Sequence, residues 1–253
     1  MNILIANDDG YKAKGINVLA QRLAREHNVT IVAPDGERSG ASHTLSFFGG
    51  ITYERIGNVN GVEIYSVHGT PADCVIFGLK YILKDTKVDV VLSGINNVLN
   101  VGSDIIYSGT FGAAQEGTFQ QIPSIAVSLR EHGSGEYGFA ADFIAENLET
   151  LMRYADGNVT VNVNIPRFMR EDNKGVRVAP VTYRPYVEEY YKQADDLGND
   201  VFYINGHPIR QTEENREGDC YLCEHDYITV TPVKMISNDP DLIERMKKAD
   251  FVL

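Results

Sequence analysis

The sequence predicts an α/β fold built on a largely parallel central sheet. Three observations carry this expectation: short apolar runs alternate with amphipathic stretches, the links between them are short, and Gly-, Ser- and Asn-rich segments follow the apolar runs. Residues 3–6, Ile-Leu-Ile-Ala, read as the first buried strand. Residues 15–27 then place Ile16, Leu19, Ala20, Leu23 and Ala24 at the spacing of one helix face. Residues 29–33 form the next strand and stop at Pro34-Asp35-Gly36, which completes a βαβ unit.

The alternation continues. Residues 35–50 have no period and read as a loop at the carboxyl end of the second strand. Residues 51–56 and 63–67 form β ribbons joined through a turn containing Asn60-Gly61. Pro71 opens a helix over 71–83, at a first-turn position where its missing N–H costs nothing. Residues 88–93 make a buried strand ending in Gly94-Ile95-Asn96-Asn97, and a helix starts at Ser108-Gly109-Thr110 and runs to Phe119. A strand at 124–128, a helix at 137–154 and a strand at 159–164 follow, closed by Pro166.

Past Pro166 the character changes. Residues 177–180 and 201–204 are strand-like, but 181–199 are polar, Tyr-rich and charged, with too little apolar content for a core of their own. They read as a projecting arm that contacts a second copy, or as a surface loop. Residues 227–232 return as a β segment and 241–248 as a terminal helix. The expectation is a single domain over 1–253, with its core at 1–180 and 200–235, the arm at 181–199 and a tail at 236–253. The tail ends in apolar Phe251-Val252-Leu253, which adds to the case for a homo-oligomer.

Composition excludes several classes. The 253 residues carry 23 basic and 35 acidic side chains, a net charge of −12. A nucleic-acid polymer needs a basic footprint and is not expected as a partner, whereas a small phosphate ligand needs only a local positive site. Cys220 and Cys223 form a C-x-x-C pair, but the third cysteine, Cys74, leaves no second pair for a zinc site. The pair also lies too late in the chain for a thioredoxin-type motif and reads as two reduced thiols. No apolar run approaches the ~20 residues needed to cross a bilayer. The chain starts directly with a strand, so no membrane association is expected and the expected compartment is the cytoplasm.

Three loops follow parallel strands and so share one rim, where open α/β sheets bind their ligands. The first supplies Asp8 and Asp9. Adjacent carboxylates resist ionising together unless a cation offsets them, and oxygen ligands suit a hard divalent metal. An Asp-Gly turn that merely ends the strand is the other reading. The second loop supplies Arg38-Ser39-Gly40-Ala41-Ser42-His43, and the third runs from Ser93-Gly94-Ile95-Asn96 through Asn100 to Ser108-Gly109-Thr110. Ser39 and Asn96 are candidate neutral metal ligands. The helix start at Ser108–Thr110 offers free N–H groups and a positive dipole end to an anion, or is an ordinary cap. His43 is a candidate acid for a leaving oxygen, with a packing role as its alternative.

These segments carry a resemblance. Asn7-Asp8-Asp9-Gly10, Ala33-Pro34-Asp35 with Ser39-Gly40, Gly69-Thr70-Pro71-Ala72-Asp73-Cys74, Ser93-Gly94-Ile95-Asn96 and Tyr107-Ser108-Gly109-Thr110 occur in the order found in the SurE (survival protein E) nucleotidase family. Ile122–Ala126, Asn162–Pro166 and Ile228–Pro232 continue the match over nearly the whole chain. The resemblance implies a Rossmann-like three-layer sandwich with a β-rich C-terminal extension. It implies a metal-dependent phosphomonoesterase acting on nucleoside 5′- and 3′-monophosphates, with a polyphosphatase side activity. It further implies one divalent ion, Mg²⁺ or Mn²⁺, per subunit and a homodimer or homotetramer built by exchanged C-terminal elements. Carried over by position, the metal ligands fall on Asp8, Asp9, Ser39 and Asn96, and the phosphate site on Gly40, Asn100, Ser108, Gly109 and Thr110. Two positions depart from the family pattern: Val98 stands where relatives commonly have Gly, and Ser103 where they have an acidic residue.

The chemistry expected of such a site is metal-assisted in-line displacement at phosphorus. Two rivals fit less well. A phosphoaspartyl phosphatase of the haloacid dehalogenase type wants Asp-x-Asp spacing rather than an adjacent pair. A receiver-like signalling domain wants an Asp at the end of its third strand, where Leu92-Ser93-Gly94 offers none.

Overall fold

A computed structural model describes residues 1–130 and 136–249. The apolar terminus Phe251-Val252-Leu253 lies outside the described residues.

Nine strands form the main sheet. In chain order they are β1 (Asn2–Ala6), β2 (Asn28–Pro34), β3 (Thr52–Val59), β4 (Val62–His68), β5 (Val90–Asn96), β6 (Ser124–Leu129), β7 (Val159–Ile165), β8 (Val176–Val178) and β11 (Ile228–Lys234). Their spatial order is β3-β4-β2-β1-β5-β6-β7-β11-β8. The six strands from β4 to β7 are mutually parallel, while β3 and β11 join antiparallel at either side. This is the α/β sandwich expected, with α1 (Lys14–Leu23) and α4 (Gly138–Met152) on one face and α2 (Pro71–Phe77) and α3 (Gly109–Phe119) on the other.

Strand periodicity divides the core between those faces. Ile3 and Ile5 of β1 pack with Ile16, Leu19, Ile144 and Leu148 beneath α1 and α4. Leu4 and Ala6 point the other way, to Cys74, Val75 and Ala113 of α2 and α3. The same alternation sends Thr160, Asn162 and Asn164 of β7 toward α3 and leaves Val161, Val163 and Ile165 in the first cluster. Connections from β1 run to one side of the sheet and those from β5 to the other. The β1/β5 boundary is therefore the topological switch point, where a crevice opens outside the strand ends.

Several boundaries differ from expectation. The helix expected over 15–27 stops at Leu23, because residues 24–27 close back in turns onto Ala20 and Leu23. The helix expected over 71–83 widens at Gly78 into a π-helical turn, Gly78–Ile82. Residues 200–208, assigned to the core from their β pattern, instead form β10 (Asp200–Pro208). This strand pairs antiparallel with β9 (Tyr186–Ala194) in a separate two-stranded hairpin. The arm thus reaches Pro208, and the main sheet resumes only at β11, after the six-residue helix α5 (Asp219–Glu224). That helix carries Cys220 and Cys223, both buried, and burial pushes each thiol up to about 12. They are packing groups against Leu99 and Val101.

Candidate functional site

The alternation of β1 continues one step past its end, so Asp8 leaves the strand on the α3 side. Asn7 shapes the turn: its Oδ1 accepts from Gly10 N at 3.2 Å and its Nδ2 donates to Gly10 O at 3.0 Å. Gly10 itself has φ of 96°, a conformation that favours glycine. Asp8 is buried, 4% exposed, and Asp9 is half-buried. The Thr110 hydroxyl donates to Asp8 Oδ1. Burial pushes the Asp8 carboxyl above its ordinary value, against the lowering effect of hydrogen bonds from the Thr110 side chain and backbone. No Lys, Arg or His pairs with Asp8 among the described residues.

The start of α3 is therefore built around this carboxylate. A Cβ at Gly109 would lie 2.8 Å from Asp8 Cβ, so only glycine lets the helix approach so closely. Ser108 caps the helix by accepting from Phe111 N at 3.0 Å. Thr110, expected in the phosphate site, has its hydroxyl committed to Asp8, and the Gly109 N–H is the first-turn donor left over.

The second loop is tied to the first by Arg38 N donating to Asp8 O at 2.7 Å. This brings Ser39 and Gly40 into the lining of a cleft of about 720 Å³ that also contains Asp8, Asn96, Asn100 and Ser108. Ser39 Oγ donates to Glu37 Oε1 at 2.9 Å. Asn96 ends β5 and donates through Nδ2 to Val98 O at 2.7 Å, which leaves Oδ1 as its acceptor. Val98 carries a negative φ, so the departure from Gly is accommodated without strain. Asn100 N donates to Asn164 Oδ1 at 2.8 Å, and Asn100 O accepts from Asn162 at 2.8 Å and Asn164 at 3.0 Å. The cleft loop thus rests on two buried amides projecting from one face of β7.

His43 is not among the residues lining this cleft, although the cavity it lines shares Ser108 with it. It lines a neighbouring cavity, with Nε2 2.7 Å from Glu116 Oε2 and Nδ1 3.2 Å from Gln115 Oε1. The hydrogen bond to Glu116 raises its pKa, and burial opposes this. In the structure it ties the second loop to α3.

Sequence reasoning missed the wall opposite. Tyr186, Glu188, Ile204 and Gly206 of the hairpin line the same cleft, as does Asp104. Arg184 pairs with Asp104, and the Tyr186 hydroxyl donates to Asp104 Oδ2 at 2.8 Å. Ser103, the second departure, holds the arm's root: its Oγ accepts from Arg184 N at 3.1 Å and donates to Arg184 O at 3.2 Å. The tyrosine run of the arm was visible, but the pairing that swings its base over the rim is a long-range contact. Asn162 and Asn164, two amides at alternate positions in an apolar strand, were the readable signal for support beneath the loop.

The donor types fit a hard divalent cation: Asp8, buried and unmatched by a basic side chain, lines the cleft with Ser39 and Asn96, while Asp9, its neighbour in the chain, is not among the lining residues. Among the described residues no group of three His, Cys, Asp or Glu is placed to hold a metal. A cation held here would need neutral oxygens to complete its coordination.

Comparison with known proteins agrees with this architecture. The family model described as survival protein SurE matches residues 3–188. A 5′-nucleotidase SurE of Clostridium botulinum (strain 657 / Type Ba4) is 36% identical over 98% of each chain. One from Picosynechococcus is 37% identical over 99% of this chain and 97% of its own. The crystal structure of the SurE protein from Aquifex aeolicus superposes with a TM-score of 0.83 at 34% identity, covering 98% of both chains. With a family model matched over most of its length and relatives aligned end to end, this chain belongs to the SurE family.

Proposed function

We propose that the chain is a divalent-metal-dependent phosphomonoesterase that hydrolyses nucleoside 5′- and 3′-monophosphates to nucleoside and phosphate. The single observation that carries the reading is the buried Asp8 at the switch-point crevice, docked on the α3 N-terminus and lacking a basic partner. Nucleotidase activity is also what the names of the full-length relatives state of those proteins.

Asp8, Asp9, Ser39 and Asn96 would hold one Mg²⁺ or Mn²⁺. Such an ion, when bound, neutralises charge on phosphoryl oxygens and acidifies water. The protein's own residues supply the rest. Thr110 fixes the Asp8 carboxylate in one orientation. The Gly109 N–H and the helix dipole favour an anion beside it, with Gly40, Ser108 and Asn100 lining the space a phosphate would fill. Asn162 and Asn164 keep Asn100 from drifting, which is how positioning contributes to rate. Polyphosphate hydrolysis, which the family resemblance implies, would require the same centre to accept a chain of further charged groups.

The working form is a homodimer or homotetramer in the cytoplasm. No helix among the described residues is long and apolar enough to cross a membrane.

The test is turnover of nucleoside monophosphates with and without a chelator. Excess EDTA abolishes phosphate release and added Mg²⁺ or Mn²⁺ restores it; full activity in EDTA overturns the reading. Asp8→Asn lowers kcat/KM by more than about 100-fold. The same variant raises the melting temperature of the metal-free protein, because a buried charge without a basic partner is removed. An unchanged or lower metal-free melting temperature would mean that Asp8 is already compensated by the protein.

A further inference from the structure

The cleft proposed to take a phosphate dianion is poor in positive charge. Among its described lining residues none is Lys, Arg or His. The two nearby arginines are spent inside the protein: Arg38, next to Ser39, pairs with Asp35 at 2.6 Å, and Arg184 pairs with Asp104. Positive potential is thus confined to the inner end, where the α3 N-terminus and the proposed cation site lie.

The outer end is a different chemical surface. Tyr186 stands there as a fixed wall, its hydroxyl donating to Asp104 Oδ2 at 2.8 Å and accepting from Arg184 Nη1 at 3.0 Å. Burial, reinforced by the bond to Asp104, pushes this phenol up to about 12, so it is neutral at any working pH. Val98 and Ile204 add apolar surface, 63% and 59% exposed. Glu188 adds a carboxylate that has no ion pair or hydrogen bond among the described residues. Its cross-strand partner is Gly206, which offers no side chain to cover it.

Resting on the phosphomonoesterase reading above, we propose that Glu188, with Tyr186 and Ile204, makes the outer cleft a subsite for an uncharged leaving group and turns away substrates carrying further phosphates. A nucleoside monophosphate concentrates its charge at the inner end and presents a neutral, partly apolar nucleoside to the arm. A polyphosphate or nucleoside triphosphate sets its extra charges against Glu188, where no basic side chain among the described lining residues compensates them. The hairpin thereby sets substrate class, and this chain favours monophosphates over polyphosphates.

The experiment compares wild type, Glu188→Gln and Glu188→Lys. Glu188 is exposed, so neither variant disturbs the core. The first readout is the ratio of kcat/KM for tripolyphosphate to that for a nucleoside monophosphate, with Mg²⁺ in excess. Glu188→Lys raises the ratio roughly three- to tenfold at low ionic strength, Glu188→Gln by less, and the gain shrinks as salt is added. The second readout needs no turnover: calorimetric titration with tripolyphosphate and with inorganic phosphate, in which Glu188→Lys tightens the former relative to the latter by a similar factor. Unchanged ratios in both measurements overturn the inference. Absent turnover of every monophosphate overturns the phosphomonoesterase reading instead, and the titration then still decides the role of Glu188.

Discussion

Thr110 decides what Asp8 can do. Its hydroxyl donates to Oδ1, and with that oxygen held the carboxylate presents its second oxygen in a fixed direction. A buried carboxylate free to rotate would instead seek other donors, so the threonine acts as a positioning residue. Thr110→Val keeps the shape and removes the donor; the expected result is a loss of about 10- to 100-fold in metal affinity, with Thr110→Ser restoring most of it. Titration with Mg²⁺ or Mn²⁺ followed by melting temperature checks this, and an unchanged affinity in the valine variant would refute it. Asp8 and Asp9 were legible as a pair because two acids after an apolar run are locally visible. The Thr110 contact was not, because it spans 102 positions and depends on Gly109 permitting close approach. Thr110 and Gly109 read from sequence as a free anion cradle, whereas the structure gives much of that cradle to Asp8 itself.

The elements that carry the site are loops, and each is anchored by a contact the local sequence does not announce. The loop bearing Ser39 and Gly40 is fastened to α3 through His43, whose ring faces Glu116 and Gln115. Glu116 is 2% exposed and takes a second hydrogen bond from Gln120 at 2.8 Å. Because Glu116 raises the folded-state pKa of His43, the stabilisation is fully present below the ordinary imidazole value and is lost as pH rises through the raised one. His43→Ala should therefore destabilise by about 1–3 kcal/mol at pH 6. The gap to wild type should narrow toward pH 9, as read by urea unfolding at both values. A gap independent of pH would show that the ring acts by packing alone. Strand and helix existence followed from periodicity, and the βαβ start made the parallel core readable. The ends were less so: residues 24–27 continue the helical pattern of α1, yet hydrogen-bonded turns close it at Leu23. Asn162 and Asn164 stand out as amides in an apolar strand, but the strand's sequence does not say that the loop they support lies more than sixty positions earlier.

At the scale of the whole molecule the hairpin is the unbalanced part. Among the described residues its strands Tyr186–Ala194 and Asp200–Pro208 pair only with each other, and they leave Tyr190, Phe202 and Ile204 exposed at 72%, 61% and 59%. An isolated two-stranded hairpin is marginal in water, and the stacked Tyr191–Tyr203 pair, at 5.5 Å, is too small a cluster to hold it. The apolar residues on both strands instead suit burial against a second copy, since aromatic side chains bury much area at modest entropic cost. The root is already rigid through Ser103, Asp104 and Arg184, so docking the tip adds little ordering cost. The expected outcome is a homo-oligomer at micromolar concentration by light scattering. Replacing the residues between Tyr186 and Pro208 with a short glycine-rich turn should lower the measured mass while metal still raises the melting temperature. It should also loosen the outer cleft, because Glu188, Ile204 and Gly206 leave with the hairpin. A full-length protein that is monomeric under these conditions would refute the assembly and leave the arm as a wall of its own subunit's cleft.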